Sequence, residues 1–213
     1  MAPSLRSNGY RLSRRVSRLL LCAFGAALLS GCLGIGGHSP APTYYLLTAR
    51  APADAAANAN FTIGVGPVRV APFLARNDIV VHGGGGAMHL SENERWGEPL
   101  EQGVQRVLLQ NLHALTGAET RNHPWRQSGI PRFAVRIDIT DLDRLADGSA
   151  LLEVSWLLED LQSGTVLQTQ QQRLTVAGSG SGTAALTEAY SDLFAQLAQQ
   201  IARALPAAPA AGP

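Results

Sequence analysis

The sequence contains no lysine. All 17 basic residues are arginine and stand against 16 acids, for a formal net charge of +1. That balance lacks the basic excess with which proteins hold nucleic acid, and no such partner is expected. Cysteine is almost missing as well, with only Cys22 and Cys32 present. Acids are absent from the first 31 residues, which carry five arginines: Arg6, Arg11, Arg14, Arg15 and Arg18. The other 182 residues hold 12 Arg against 16 acids, a net of −4. A basic leader is therefore joined to a mildly acidic body. The apolar run Leu19 to Leu29 has 11 residues. As a helix it spans about 16 Å, roughly half a bilayer core, which excludes a transmembrane helix there. At 46% hydrophobic and 15% charged, the chain is not wholly disordered, and its 213 residues suit one ordinary domain with extras.

A basic region, a short apolar region and small residues at its end make residues 1–31 a secretory signal peptide. Its end reads Leu29-Ser30-Gly31-Cys32, which resembles a bacterial lipobox. The chemistry needs that Cys, because sulfur is the strong nucleophile able to take a diacylglyceryl group as a thioether. Small residues before it give a peptidase access to the bond, and the new amino terminus is then acylated. Cys32 is thus the expected lipidation site. Covalent diacylglycerol and an N-acyl chain are the only groups expected, with no cofactor. Cys22 would leave with the leader, so the mature chain has no intramolecular disulfide and no Cys-based metal site. At ~0.8 kcal/mol per buried methylene, two or three acyl chains anchor without practical release. Leu33, rather than Asp, follows the Cys. The lipoprotein resemblance then implies the outer membrane of a Gram-negative bacterium, facing the periplasm.

Residues 32–43 form the lipidated Cys and a Gly/Pro tether. The 11 residues from Leu33 to Thr43 reach at most about 36 Å. Residues 206–213, rich in Ala, Pro and Gly, read as a disordered tail. The body spans residues 44–205. Tyr44–Leu47 is a short strand candidate, and Phe61–Val70 a strand made irregular by Pro67. Ile79–Val81 is a third, turning through Gly83–Gly86 into Met88–Leu90.

Ser91 and Glu94 have capping-box spacing. Gly97 and Pro99 move the helix start a few residues on, with Pro99 and Glu98 in its first turn. Trp96, Leu100, Val104, Val107, Leu108, Leu112 and Leu115 mark one helical face, and Gly117 stops it. Alternation at Phe133–Ile139 and Leu152–Leu158 predicts two strands, and Val166–Val176 an edge strand. Thr183 is positioned to cap a last helix striped by Leu186, Tyr190, Leu193, Phe194, Leu197, Ile201 and Leu205. The pattern predicts an α/β single domain, a mixed β-sheet covered by two long amphipathic helices, after the signal peptide and flexible tether.

No catalytic constellation emerges. Gly64 and Gly66 lack the third glycine of a dinucleotide loop, and Pro67 stands where its helix would begin. They read instead as sites of close backbone approach. His82 and His89, facing each other across the hairpin, would make a poor metal site without a carboxylate or thiolate. Asp138, Asp141, Asp143 and Asp147 lack the glycine and terminal Glu of a calcium loop. They read as a solvated strand end. Around Trp96, a structural plug outweighs a partner-binding role.

The ordered pieces are the lipobox, Tyr44-Tyr45-Leu46-Leu47, Ile63-Gly64-Val65-Gly66-Pro67-Val68, Leu74-Ala75-Arg76 with Ile79-Val80, and Arg95-Trp96-Gly97-Glu98-Pro99-Leu100. In that order and spacing the chain resembles the PqiC-like (YmbA-type) ABC-type transport auxiliary lipoproteins. The resemblance implies a non-enzymatic subunit of an MCE-type lipid transport system that supports outer-membrane integrity. Its implied partners are a periplasmic MCE-domain protein with its inner-membrane transport components, and, through the anchor, the membrane. Because MCE assemblies are rings, it also implies a homo-oligomer. Arg76, Trp96, Glu98 and Pro99 are then a structural signature or a docking patch. The competing class is a lipoprotein that binds a small ligand or regulates a cell-wall enzyme, which requires a ligand-sized apolar cavity or such an enzyme as partner.

Overall fold

A computed structural model describes residues 41–53, 59–84, 87–126, 129–178 and 180–206. The expected leader, Cys32, nearly all of the tether and the tail beyond Pro206 lie outside the described residues. In chain order the elements are β1 (Thr43–Tyr45), β2 (Thr62–Val70), β3 (Asp78–Gly84), β4 (Ala87–Trp96), α1 (Leu100–Thr116), β5 (Glu119–Asn122), β6 (Phe133–Arg144), β7 (Ala150–Asp160), β8 (Thr165–Val176) and α2 (Thr183–Ala204).

These strands make two sheets rather than the one expected. The larger has the order β5-β2-β6-β7-β8 and the smaller β1-β4-β3. The separation follows from the residues after β2. Ala71 N–H still bonds the Ile139 carbonyl at 2.9 Å, but the next segment turns on itself, with Leu74 N–H bonding Ala71 O at 2.8 Å. Pro72 cannot donate to a ladder, so β2 ends there and β3 starts a new sheet. In the large sheet β2 is parallel to both β5 and β6, while β6, β7 and β8 are antiparallel. The register of β2 slips between Val65 and Val68, where Pro67 interrupts the ladder.

Alternation decides which face is buried. Ile137, Ile139, Val154, Trp156 and Leu158 are buried, while their neighbours Arg136 and Asp138 are exposed. Each buried face gains roughly 25 cal/mol per Å² of apolar surface removed from water. The two helices close over it. Val104, Val107, Leu108 and Leu112 of α1 and Leu193, Phe194, Leu197 and Ile201 of α2 are fully buried and belong to one core cluster with the strands. Gly117 ends α1 in the left-handed region (φ 67°), and its N–H returns to the His113 carbonyl. At Gly64 a Cβ would lie 2.4 Å from Trp125 and 2.5 Å from Pro131. Close backbone approach, not nucleotide binding, explains that glycine.

Four local expectations change. Ser91–Trp96 continues β4 instead of capping a helix, and α1 begins only at Leu100. Pro99 occupies the N-cap position and Glu98 precedes the helix, so neither is in its first turn. Thr183 is the first helical residue of α2, behind Gly182, and makes no capping bond. The hairpin register pairs His89 with Val81 and His82 with Met88, so the two histidines do not face each other.

Candidate functional site

The chain enters its folded body at β1, and the residues that stand out in the sequence gather around that point. β1 lies parallel to β4, pairing Tyr44 with Arg95 and Tyr45 with Trp96. Beyond the strand the backbone continues as an extended strap over the two helices. Gly97 N–H bonds the Tyr45 carbonyl at 2.8 Å. Arg106 of α1 donates to the Leu47 carbonyl at 2.9 Å. Thr48 N–H donates to Ser191 Oγ of α2 at 3.1 Å. Asn111 Oδ1 of α1 accepts from both Arg50 and Ala51 N–H at 2.9 Å. The Arg50 guanidinium lies 3.8 Å from Glu188 and 3.5 Å from Asp192 on α2. Three different elements thus hold one short stretch of backbone.

Glu98 supports this clamp from beneath. Its carboxylate takes the Arg106 guanidinium on both oxygens, with Nη2 to Oε1 at 2.5 Å and Nε to Oε2 at 3.4 Å. The pair orients Arg106 toward Leu47. Gly103 makes room for it, since a Cβ there would come within 3.1 Å of Glu98 Oε1. Trp96 is only 7% exposed. Its ring packs 6.4 Å from that of Tyr190 on α2, so little of it remains to meet a partner, and truncating such a residue costs about 3–5 kcal/mol. Arg76 lies two residues before the start of β3. It and Arg95 approach Asp78 at 3.6 and 3.7 Å, and the Trp96 N–H bonds the Asn77 carbonyl at 2.7 Å. Trp96 and Glu98 therefore share the clamp, while Pro99 stands beside it as the N-cap of α1. Arg76 is linked to it through Asp78, which Arg95 also approaches.

Beside the clamp, Glu94 accepts hydrogen bonds from the hydroxyls of Thr183, Ser91 and Tyr45. These hold its carboxyl below the usual range, the Thr183 bond foremost, against a smaller opposing effect of burial. Tyr45 moves up, chiefly by desolvation and then by the charge of Glu94. This arrangement fastens β4 to the start of α2.

Among the described residues no group of three or more His, Cys, Asp or Glu could hold a metal ion. A depression of about 320 Å³ lies on the outer face of the large sheet, lined by residues including Arg69, Arg136, Asp138 and Trp156. Arg69 stands 3.8 Å from Asp138. This volume is at the lower limit of ligand pockets, and the lining mixes the charged Arg69, Arg136 and Asp138 with the apolar Pro67, Trp156 and Leu157.

Sequence reasoning did not find Asn111, Ser191 or Arg106. A signal for two of them exists. Asn111 sits among Leu108 and Leu112, and Ser191 between Tyr190 and Leu193, each on a stripe that is otherwise apolar. Asn111 is 0% and Ser191 1% exposed. A polar residue so placed requires a partner, and the strap provides it.

The described residues form a small mixed α/β body whose incoming segment is clamped across two helices, and no helix among them is long and apolar enough to cross a membrane. Residues 44–202 match the ABC-type transport auxiliary lipoprotein components, and the chain belongs to that family. It is a transport-auxiliary family rather than an enzyme family. The fold is similar to a crystal structure of an uncharacterized protein (22% identity, TM-score 0.63), with 76% of this chain and 97% of that one covered. It is also similar to a Xanthomonas campestris protein of the DUF330 family (15% identity, TM-score 0.62), covering 75% and 92%. No curated protein sequence matches the chain.

Proposed function

We propose that the protein is a lipid-anchored periplasmic subunit of an MCE/ABC-type intermembrane lipid transport system. It is acylated on Cys32, resides in the outer membrane, docks the periplasmic MCE component and so supports membrane integrity. Family membership over residues 44–202 carries this reading. The clamp gives it a physical logic. A tether that ended in a loosely held strand would let the body swing freely. Here the strap bonds Asn111, Arg106 and Ser191 directly, so the freedom between an anchor at Cys32 and the body would be that of the tether, with none added by a loose first strand. Trp96 and Glu98 serve that hold, and Arg76, Trp96, Glu98 and Pro99 act as a structural signature rather than as lipid ligands. Self-association belongs to the same proposal. Among the described residues the edge strand β8 pairs only with β7, and its exposed Val166 and Leu167 offer a surface for it.

Affinity capture of the full-length protein from solubilised membranes tests the reading. Recovery of an MCE-domain protein with inner-membrane transport components is the expected result. Recovery of a cell-wall synthase alone would replace it with the regulatory alternative.

A further inference from the structure

We propose that the far end of the β3–β4 hairpin is a second membrane contact, with Met88 and Leu90 resting in the interface of the bilayer that holds the acyl anchor. The proposal deepens the anchored-subunit reading and rests on acylation of Cys32.

Three observations carry it. The first is direction. Tyr44, Arg95 and Asp78 lie side by side across the small sheet. From that level β3 runs six residues on to Gly84, about 20 Å at strand spacing. β4 returns along it, and β1 is parallel to β4. The amino-terminal end of β1 therefore points toward the same end of the sheet as the hairpin.

The second is reach. Eleven residues separate Cys32 from the start of β1, counting Thr43. A flexible Gly-rich chain of that length has a root-mean-square span of roughly 17–20 Å. A tether of that reach matches the length of the hairpin beyond the level of Tyr44, so it lets the hairpin end meet the bilayer surface.

The third is chemistry. From Ile79 to Ser91, thirteen residues, there is no Asp, Glu, Arg or Lys. Met88 is 47% and Leu90 42% exposed. They alternate on one face of β4, opposite His82 and Val80 in register. An uncharged segment with apolar side chains toward solvent suits the headgroup–acyl boundary. Two such side chains fall far short of the roughly 1,000 Å² that a specific protein interface buries. A bilayer needs no such area once the anchor supplies the effective concentration. The occupant is therefore lipid rather than a second copy of the chain.

Met88→Cys tests this in the mature acylated protein, where thioether-linked Cys32 leaves the new thiol as the sole reactive one. An environment-sensitive fluorophore is attached there, or at Ala87→Cys should the first variant fail to accumulate, and at Thr169→Cys on β8 as reference. The protein is placed in phosphatidylethanolamine–phosphatidylglycerol vesicles carrying nitroxide-labelled lipid. The expected result is loss of most of the hairpin label's fluorescence and little loss at 169. Acylated, vesicle-bound protein with equal, weak quenching at both positions would overturn the hairpin contact and leave the anchor standing. Protection of the hairpin label from aqueous iodide without lipid quenching would overturn it in favour of a second copy. Protein that carries no acyl chain and floats free of the vesicles would overturn the anchor, and the hairpin contact with it.

Discussion

Replacing Asn111 with alanine would release the strap. Its Oδ1 accepts two backbone N–H groups, those of Arg50 and Ala51, each at 2.9 Å. Alanine accepts neither. A buried donor left without a partner costs about 1–3 kcal/mol. Both residues lie at the surface side of the strap and regain some water on loosening, so the lower half of that range applies, about 2 kcal/mol for the pair. The helix itself gains slightly, since Ala is a better helix former than Asn by a few tenths of a kcal/mol, up to about 0.7. The net loss is then about 1.5 kcal/mol, which for a body of this size lowers Tm by roughly 3–6 °C. The local effect should exceed the global one. Amide exchange at Arg50 and Ala51 is expected to accelerate while amides within β6 and β7 stay protected. A variant that melts within about 1 °C of the parent and keeps slow exchange at both amides would refute the claim that this side chain holds the strap.

Gly64→Ala should destabilise by about 1–3 kcal/mol, because the added methyl would stand 2.4 Å from Trp125; a Tm unchanged by it would show that the ring moves aside freely. Glu94 supplies a pH dependence. Its folded pKa lies below the ordinary 4.5, so its contribution is complete above that value and is lost as the pH falls through the folded one. Thr183→Ala removes the strongest of the bonds responsible and should narrow that acid-side loss in parallel urea titrations; identical pH profiles for the two proteins would contradict it. Cys32→Ser is expected to leave an unprocessed precursor without incorporated palmitate, and normal labelling of that variant would rule out the anchor site.

The parts of the fold legible in the sequence are those whose periodicity is driven by burial. Ile137 and Ile139 alternate with Arg136 and Asp138 because one face of β6 meets the helices and the other meets water. The stripe Leu193-Phe194-Leu197-Ile201 is equally direct. The end of β4 was hidden because Ser91–Arg95 is polar, and because Ser91 and Glu94 imitate a capping box. The imitation has a physical basis. Ser91 Oγ does bond Glu94, at 2.9 Å, but the bond joins two side chains along a strand and satisfies no helical N–H. β5 carries no apolar alternation at all. Its four residues Glu119–Asn122 exist as a strand because β2 lends them a parallel ladder. The split into two sheets depends on the turn after Val70, and hydrophobic pattern says nothing of which strands a turn separates. Of the site, Trp96 and Glu98 were visible as an unusual cluster. Their link to Arg106, and the roles of Asn111 and Ser191, were not, because those partners meet only after α1 and α2 have packed.

Thr48 waits for a hydroxyl that the chain supplies 143 residues later. A polypeptide delivered amino end first could hold this stretch through Arg106 and Asn111 once about half of it had arrived. The Ser191 bond closes only after nearly all the rest is present, so the clamp is completed by the last helix.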